Sequence, residues 1–236
     1  LKNKDREFWK GLRKWDVIVL SETWMEKKGW EKVKKSFPRG FIWKMQWAVR
    51  EKKKGRAMGD MIMRIRKELL KRGEEIKSEE EGVIEGRVTI GEKKWRIIGV
   101  YVKSNLERYR GSLEKWMEEK KVGEKVIIGG DFNARTGREG EAKRREEDCG
   151  SGEEKNRRSK DGKVNKEGRK LVEMRDEEGE FTFTGGMGST VINYAVGDEE
   201  TKERIKKMRI GEIKRTRMEI RAPPAGNMGG GKGEGI

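Results

Sequence analysis

Histidine is absent from this chain, cysteine and glutamine occur once each, and only 3 of the 236 residues are proline. Without histidine, and with Cys149 alone, the ligands that zinc prefers are missing. No internal disulfide is possible, which fits a reducing compartment better than secretion. Cys149 stands in DCGSG, a polar stretch in which a lone thiol is incidental rather than catalytic. No apolar run approaches the roughly 20 residues that a membrane span needs, and the charged start LKNKDREFWK lacks the apolar centre of a secretion signal. The expectation is an intracellular chain with no membrane partner.

Apolar side chains are also scarce. Hydrophobic residues make up 32% of the sequence against 43% charged, and Leu, Ile, Val and Phe together reach only roughly a fifth, near the level at which high charge predicts disorder. Any core is therefore lean. The missing residues have C-rich codons, whereas the abundant Lys, Arg, Glu, Gly and Met can use purine-rich ones. A biased coding strand thus accounts for the lack of histidine without a functional cause.

What the chain has in excess is positive charge, +16 at neutral pH. Such a charge concentrates a polyanion such as nucleic acid in a salt-dependent way. The same residues interleave with Asp and Glu in runs such as EEIKSEEEG, which make solvated faces as readily as a binding patch.

Short β-branched runs bounded by polar residues read as buried strands: DVIVLSE (16–22), KKWRIIGVYV ending at Val102, EKVIIGGDFN (124–133) and TVINYAV (190–196). Helical patterns lie between them. SNLERYRGSLEKWMEEKK places Leu106, Tyr109, Leu113, Trp116 and Met117 on one face, and NKEGRKLVEMRDEEG does so more weakly with Leu171, Val172 and Met174. The alternation indicates an α/β architecture. The length fits one domain over residues 1–221, with a charged exposed loop at 138–165 and a flexible Gly-rich tail at 222–236. The eight tryptophans could stack on bases, but most fall beside apolar strands or on a helix face, where core packing is the simpler reading.

One stretch carries chemistry. In VIIGGDFNARTG an apolar run breaks on two glycines and presents Asp131 and Asn133, which project together because side chains two apart on extended backbone share a direction. Glu22 likewise ends a strand. Ligand sites in α/β sheets gather beyond the carboxyl ends of strands. Two carboxylates and an amide form a hard oxygen donor set suited to Mg²⁺ or Mn²⁺. A carboxylate at a strand end is also often a turn or capping residue.

The order LSETW, VYVKSN, GGDFNARTG, GSTVINY resembles the endonuclease/exonuclease/phosphatase superfamily, and most closely the endonuclease domain of LINE-like non-LTR retrotransposons. WAVREKKKGRAMGDMIMRIRKEL is similar to that family as well, with Gly55 to Arg64 where a glycine-rich hairpin is usual. The resemblance implies a DNase I-like fold, two packed β-sheets flanked by helices, and Mg²⁺-dependent hydrolysis of a DNA phosphodiester. It implies Glu22 and Asp131 as metal ligands. Tyr101 would contact the scissile phosphate, Asp131 would position or deprotonate water, and Asn133 would orient the phosphate or the nucleophile. DNA is the implied partner and the nucleus the implied location of an active protein.

The departures fall on the same site. The family has Asp where Asn193 stands, and Ser-Asp-His where this chain has IKRTRMEI, which sets Thr216 and Arg217 opposite the expected Asp and His. A strand with a further active-site Asn would precede Leu1, and a helix and strand before FTFTGG are expected to be missing. The implied activity is therefore weak or lost. Two other readings stay open: a non-catalytic basic nucleic-acid-binding remnant, and an abasic-site nuclease or phosphoesterase, since these share the core motifs.

Overall fold

In VIVLS, which forms β1 (Val17–Ser21), every residue is buried, as a strand covered on both faces requires. The computed structural model describes residues 6–50, 57–137, 162–178, 182–185, 193–197, 201 and 217–220. Within them β1 lies in a four-stranded antiparallel sheet with β2 (Phe41–Gln46), β3 (Met61–Arg66) and β10 (Arg217–Ile220), in the order β10-β1-β3-β2.

A second sheet has the order β4-β5-β6-β7-β9-β8, from β4 (Ile76–Lys77), β5 (Val83–Ile90), β6 (Lys93–Tyr101), β7 (Glu124–Asp131), β8 (Thr182–Gly185) and β9 (Asn193–Gly197). Its one parallel pair among the described strands is β6 with β7. Parallel neighbours need a crossover, and α3 (Glu107–Glu118) supplies it.

Alternation along each strand sorts the side chains into layers. Val17 and Val19 join Met61, Met63 and Ile65 in facing Ile84, Val88, Ile97, Tyr101 and Ile127 of the second sheet, so the two sheets share a dry interface. The opposite residues of the first sheet, Ile18, Leu20, Met45 and Ile62, meet Leu12 of α1 (Arg6–Leu12) and Val33 of α2 (Lys27–Val33). On the far side of the second sheet, Ile98, Val100, Val126 and Ile128 pack on Leu113 and Trp116 of α3 and Leu171 and Met174 of α4 (Lys166–Glu178). The result is helices, sheet, sheet, helices, the architecture expected from the sequence.

Tryptophan compensates for the shortage of aliphatic residues. Trp9, Trp15, Trp30, Trp43 and Trp47 pack against the first sheet's outer core, Trp95 against the inter-sheet core and Trp116 within the α3 layer. Core packing is thus the role of seven tryptophans, and only Trp24 is exposed. The chain's single glutamine clamps the two sheets at one end: Gln46 accepts the Gly82 N–H at 2.7 Å and donates to the Glu80 carbonyl at 2.6 Å.

The expected strands are one or two residues longer than those observed, and the expected strand at 190–196 is described only from Asn193. Arg64, placed in the hairpin region, lies in β3 with its guanidinium 3.9 Å from the Phe41 ring centre. Of the expected loop, residues 138–161 lie outside the described residues, as do Cys149 and the tail at 222–236. No helix among the described residues is long and apolar enough to cross a membrane.

Two glycines set the distance between the sheets. A Cβ on Gly99 would stand 2.6 Å from Val19 Cγ1 and 2.9 Å from Ile84 Cγ2, and one on Gly86 would run into Ile65 and Met63. Overpacking of this kind costs about 1–3 kcal/mol. Gly99→Ala is expected to lower the unfolding free energy by that amount, read as a lower urea midpoint with the slope unchanged; an unaltered midpoint would show that the sheets have room to spare.

Candidate active site

Three strands finish at the same end of the sandwich. β1 leads into Glu22, β6 ends on Tyr101 and β7 on Asp131, with Tyr101 and Asp131 side by side in the parallel register. The antiparallel partners begin there: Asn193 is opposite Asp131, Arg217 opposite Leu20 and Met61 opposite Ser21. The structure therefore brings Glu22, Tyr101, Asp131 and Asn133 together and sets the backbones of Asn193 and Arg217 at the same end. Thr216 lies outside the described residues.

Glu22 leaves β1 in the left-handed region at φ 52°, and Trp24 repeats this at φ 53°. L-residues pay for this geometry in steric strain and persist in it only when neighbours enforce it. The enforcing group is Asp60, just before β3. Its fully buried carboxylate accepts the Thr23 hydroxyl in a short bond, the Trp24 N–H at 2.9 Å and the Met25 N–H at 3.3 Å. Its carbonyl accepts the Glu22 N–H at 3.3 Å.

The Tyr101 hydroxyl donates to Glu22 Oε1 at 2.8 Å. Burial, then the bond to Glu22 and the negative fields of Glu22, Asp131 and Asp60, push this phenol well above its ordinary range. It stays protonated at neutral pH and is a hydrogen-bond donor. Asp131 is 2% exposed, and burial pushes its carboxyl up to about 6, with the Glu22 charge adding to the effect and the Asn133 N–H opposing it.

Asn133 forms a tight turn around Asp131. Its N–H donates to Asp131 Oδ1 at 2.9 Å, its backbone sits at φ 48° and its side-chain amide donates to the Val102 carbonyl at 2.7 Å. Asn165 braces that turn: it donates to the Asn133 carbonyl at 2.8 Å while its Oδ1 accepts the N–H groups of Arg135 and Gly168. The bond to Gly168 makes Asn165 the cap of α4.

Sequence reasoning passed over Asp60 and Asn165. Asp60 sits in GDMIM, where a carboxylate before an apolar run looks like a turn residue; only the 36-residue separation from Trp24 reveals its role. Asn165 did carry a signal, being the polar residue that opens the second helical pattern.

The donor chemistry fits a hard divalent cation. Glu22 and Asp131 are like-charged, and neither has a Lys or Arg ion pair among the described residues. Asp60 already accepts three donors from the loop that carries Glu22. Among the described residues no group of three or more His, Cys, Asp or Glu is assembled, so protein ligands would be few and water would complete the shell, as Mg²⁺ accepts.

No protein-family model matches the sequence, and neither does any curated protein. Solved structures do match. The endonuclease domain of TRAS1, a telomere-specific non-LTR retrotransposon, superposes with TM-score 0.56 at 12% identity, over 91% of this chain and 89% of that one. An endonuclease/exonuclease/phosphatase family protein from Leptotrichia buccalis gives TM-score 0.45 at 8% identity, over 90% of this chain and 89% of that one. Humanized D. rerio TDP2 gives 0.37 at 19% identity, over 53% of this chain and 52% of that one. Of these three, the first overlaps closely enough to define an architecture. The chain has the DNase I-like fold, two packed sheets flanked by helices, and in fold it is similar to a non-LTR retrotransposon endonuclease domain.

The raised Asp131 carboxyl makes a prediction with a definite sign. Folding disfavours its ionised form, so the cost is absent below the ordinary value of 3.8, grows as pH rises towards about 6 and is complete above that. A shift of about two units corresponds to roughly 3 kcal/mol. In chelator, Asp131→Asn is expected to raise the melting temperature at pH 8 and to raise it much less at pH 4; a gain of equal size at both pH values would rule out charge burial as the cause.

Proposed function

We propose that this chain is a Mg²⁺- or Mn²⁺-dependent phosphodiester hydrolase domain of the endonuclease type, directed at DNA, that keeps its binding site and has lost most of its catalysis. What carries the reading is the buried Asp131 carboxyl beside the Tyr101–Glu22 hydrogen bond at the ends of three strands. Residues 1–221 form the functional unit and 222–236 a tail, and the location would be nuclear if the domain is functional.

Each residue has a task that its geometry allows. Glu22 and Asp131 hold the metal, which when bound supplies positive charge to a phosphoryl oxygen. Asp131 also orients the attacking water. Tyr101, kept protonated, donates its hydroxyl to the charge that builds on phosphate. Asn133 is fixed by its own backbone and by Val102, so it presents its remaining amide valences without reorganisation.

The loss of catalysis follows from the sequence. There is no imidazole in the chain, Arg217 cannot accept a proton at neutral pH, and Asn193 cannot replace a carboxylate. One general acid or base is worth about 10²–10⁴ in rate, and groups acting together fail together. The net charge of +16 is untouched by these losses and supports retained nucleic-acid binding.

Supercoiled plasmid in Mg²⁺ is expected to be nicked no faster by the wild-type chain than by Asp131→Ala. Metal-dependent nicking by the wild type, abolished by EDTA and by that substitution, would overturn the loss of catalysis. Asn193→Asp, Thr216→Asp and Arg217→His introduced together are expected to restore nicking. Mg²⁺ is expected to raise the melting temperature of the wild type and not that of Glu22→Gln; equal shifts in both would place the metal elsewhere.

A further inference from the structure

At the end of the first sheet away from Glu22 lies a cavity of about 510 Å³, whose walls include four cations, Arg13, Lys35, Arg39 and Arg66, and the rings of Phe37 and Phe41. Register fixes its place. Arg66 pairs with Phe41, next to the pairing of Ile65 with Val17 at the start of β1, whereas Glu22 follows that strand's end. The six residue steps from Asp16 to Glu22 span roughly 20 Å, so one phosphate cannot touch both sites. Arg66 is anchored, donating from Nε to Asp16 Oδ1 at 2.5 Å and from Nη2 to the Arg13 carbonyl at 3.3 Å. Arg13, Lys35 and Arg39 have no ion pair among the described residues, although cations elsewhere are matched: Lys34 by Glu31, Arg50 by Glu26, Arg108 by Glu81. A cleft lined by one sign of charge concentrates ions of the other.

The rings serve a different end. Phe37 stacks on Trp43 with centroids 4.2 Å apart and also meets Trp9 and Trp30, which pins the loop bearing Lys35 and Arg39. Phe41 has the guanidinium of Arg64 at 3.9 Å and that of Arg66 at 5.0 Å. Both rings are committed to the protein's own packing, so the cavity offers charge rather than a stacking surface.

We propose that this cavity is a second nucleic-acid contact, which takes backbone phosphates of a single strand without regard to its bases. The inference rests on the nucleic-acid partner of the proposed function and on nothing in its metal site. Four cations less the Asp16 carboxylate leave three positive charges. Each backbone phosphate carries one negative charge, so a run of successive phosphates complements the cavity, and a flexible single strand can follow its concave wall.

The test measures binding of an oligothymidylate, and of an equally long strand whose bases are replaced by tetrahydrofuran, in EDTA over a range of salt. Arg13→Gln, Lys35→Gln and Arg39→Gln together are expected to weaken both strands alike, roughly 10- to 100-fold at 0.1 M salt, and to flatten the salt dependence by about 2 in log–log slope. The melting temperature should hold, since none of the three side chains is ion-paired. Lys94→Gln, Lys115→Gln and Lys121→Gln, which remove the same charge from exposed positions on the side of the second sheet, are expected to cost far less. In the wild-type chain the bound strand is expected to shield Lys35, and not Lys115, from an amine-acylating reagent. Equal losses in the two triple variants, an unshielded Lys35, or a loss confined to the base-bearing strand would overturn the proposal. So would adenosine triphosphate competing at the concentration of the oligonucleotide, which would assign the cavity to a free nucleotide. If the Mg²⁺-induced rise in melting temperature is absent while the cavity variant still weakens binding, the metal-dependent reading falls and the second contact stands.

Discussion

The dry contact between the two sheets is the constraint on which the site depends. Val17, Val19, Met61, Met63 and Ile65 meet Ile84, Ile97 and Ile127 at a separation close enough that a Cβ at position 99 would press on Val19 and Ile84. Tyr101 is the last inward-facing residue of β6: its ring belongs to that interface and its hydroxyl emerges to meet Glu22 from the other sheet. A single side chain thus transmits the packing distance of the core to the spacing of the polar groups. Glu22 and Asp131 sit on different sheets, and this packing, together with the Tyr101–Glu22 hydrogen bond, fixes where one stands relative to the other.

Two buried aspartates show how environment divides one residue type into two roles. Burial pushes both carboxyls upward. Asp60 is compensated by the Thr23 hydroxyl and two backbone N–H groups, so its charge is consumed in shaping the loop that carries Glu22 and Trp24. Asp131 has one such donor, from Asn133, and faces a second carboxylate. The first is a satisfied structural group; the second retains unmet electrostatic demand, which is the condition for capturing a cation.

Much of this was legible in the sequence because it rests on local pattern. The apolar runs around residues 17–21, 93–101 and 124–131 identify strands, and the spacing of Leu113 and Trp116 identifies the crossover helix. Asp131 and Asn133 could be paired because they are two residues apart. The clamp of Gln46, the anchoring role of Asp60 and the bracing by Asn165 were not legible, since each joins segments about 30 or more residues apart and depends on register rather than periodicity. Tryptophan use was ambiguous for the same reason: a ring beside a strand reads alike whether it points inwards or, like Trp24, outwards.

The pairing of β10 with β1 sets Val17 opposite Ile220. During synthesis at 5–20 residues per second, roughly 10–40 s separate the emergence of these partners. Once β3 has emerged it can pair with β1 on one side, while the other edge of β1, made of VIVLS, presents free backbone groups and a hydrophobic strand to any neighbouring chain until β10 is made. The protein's period of greatest risk from self-association is thus written into its topology. Its high charge, so unpromising for a core, works during that time as mutual repulsion between nascent copies.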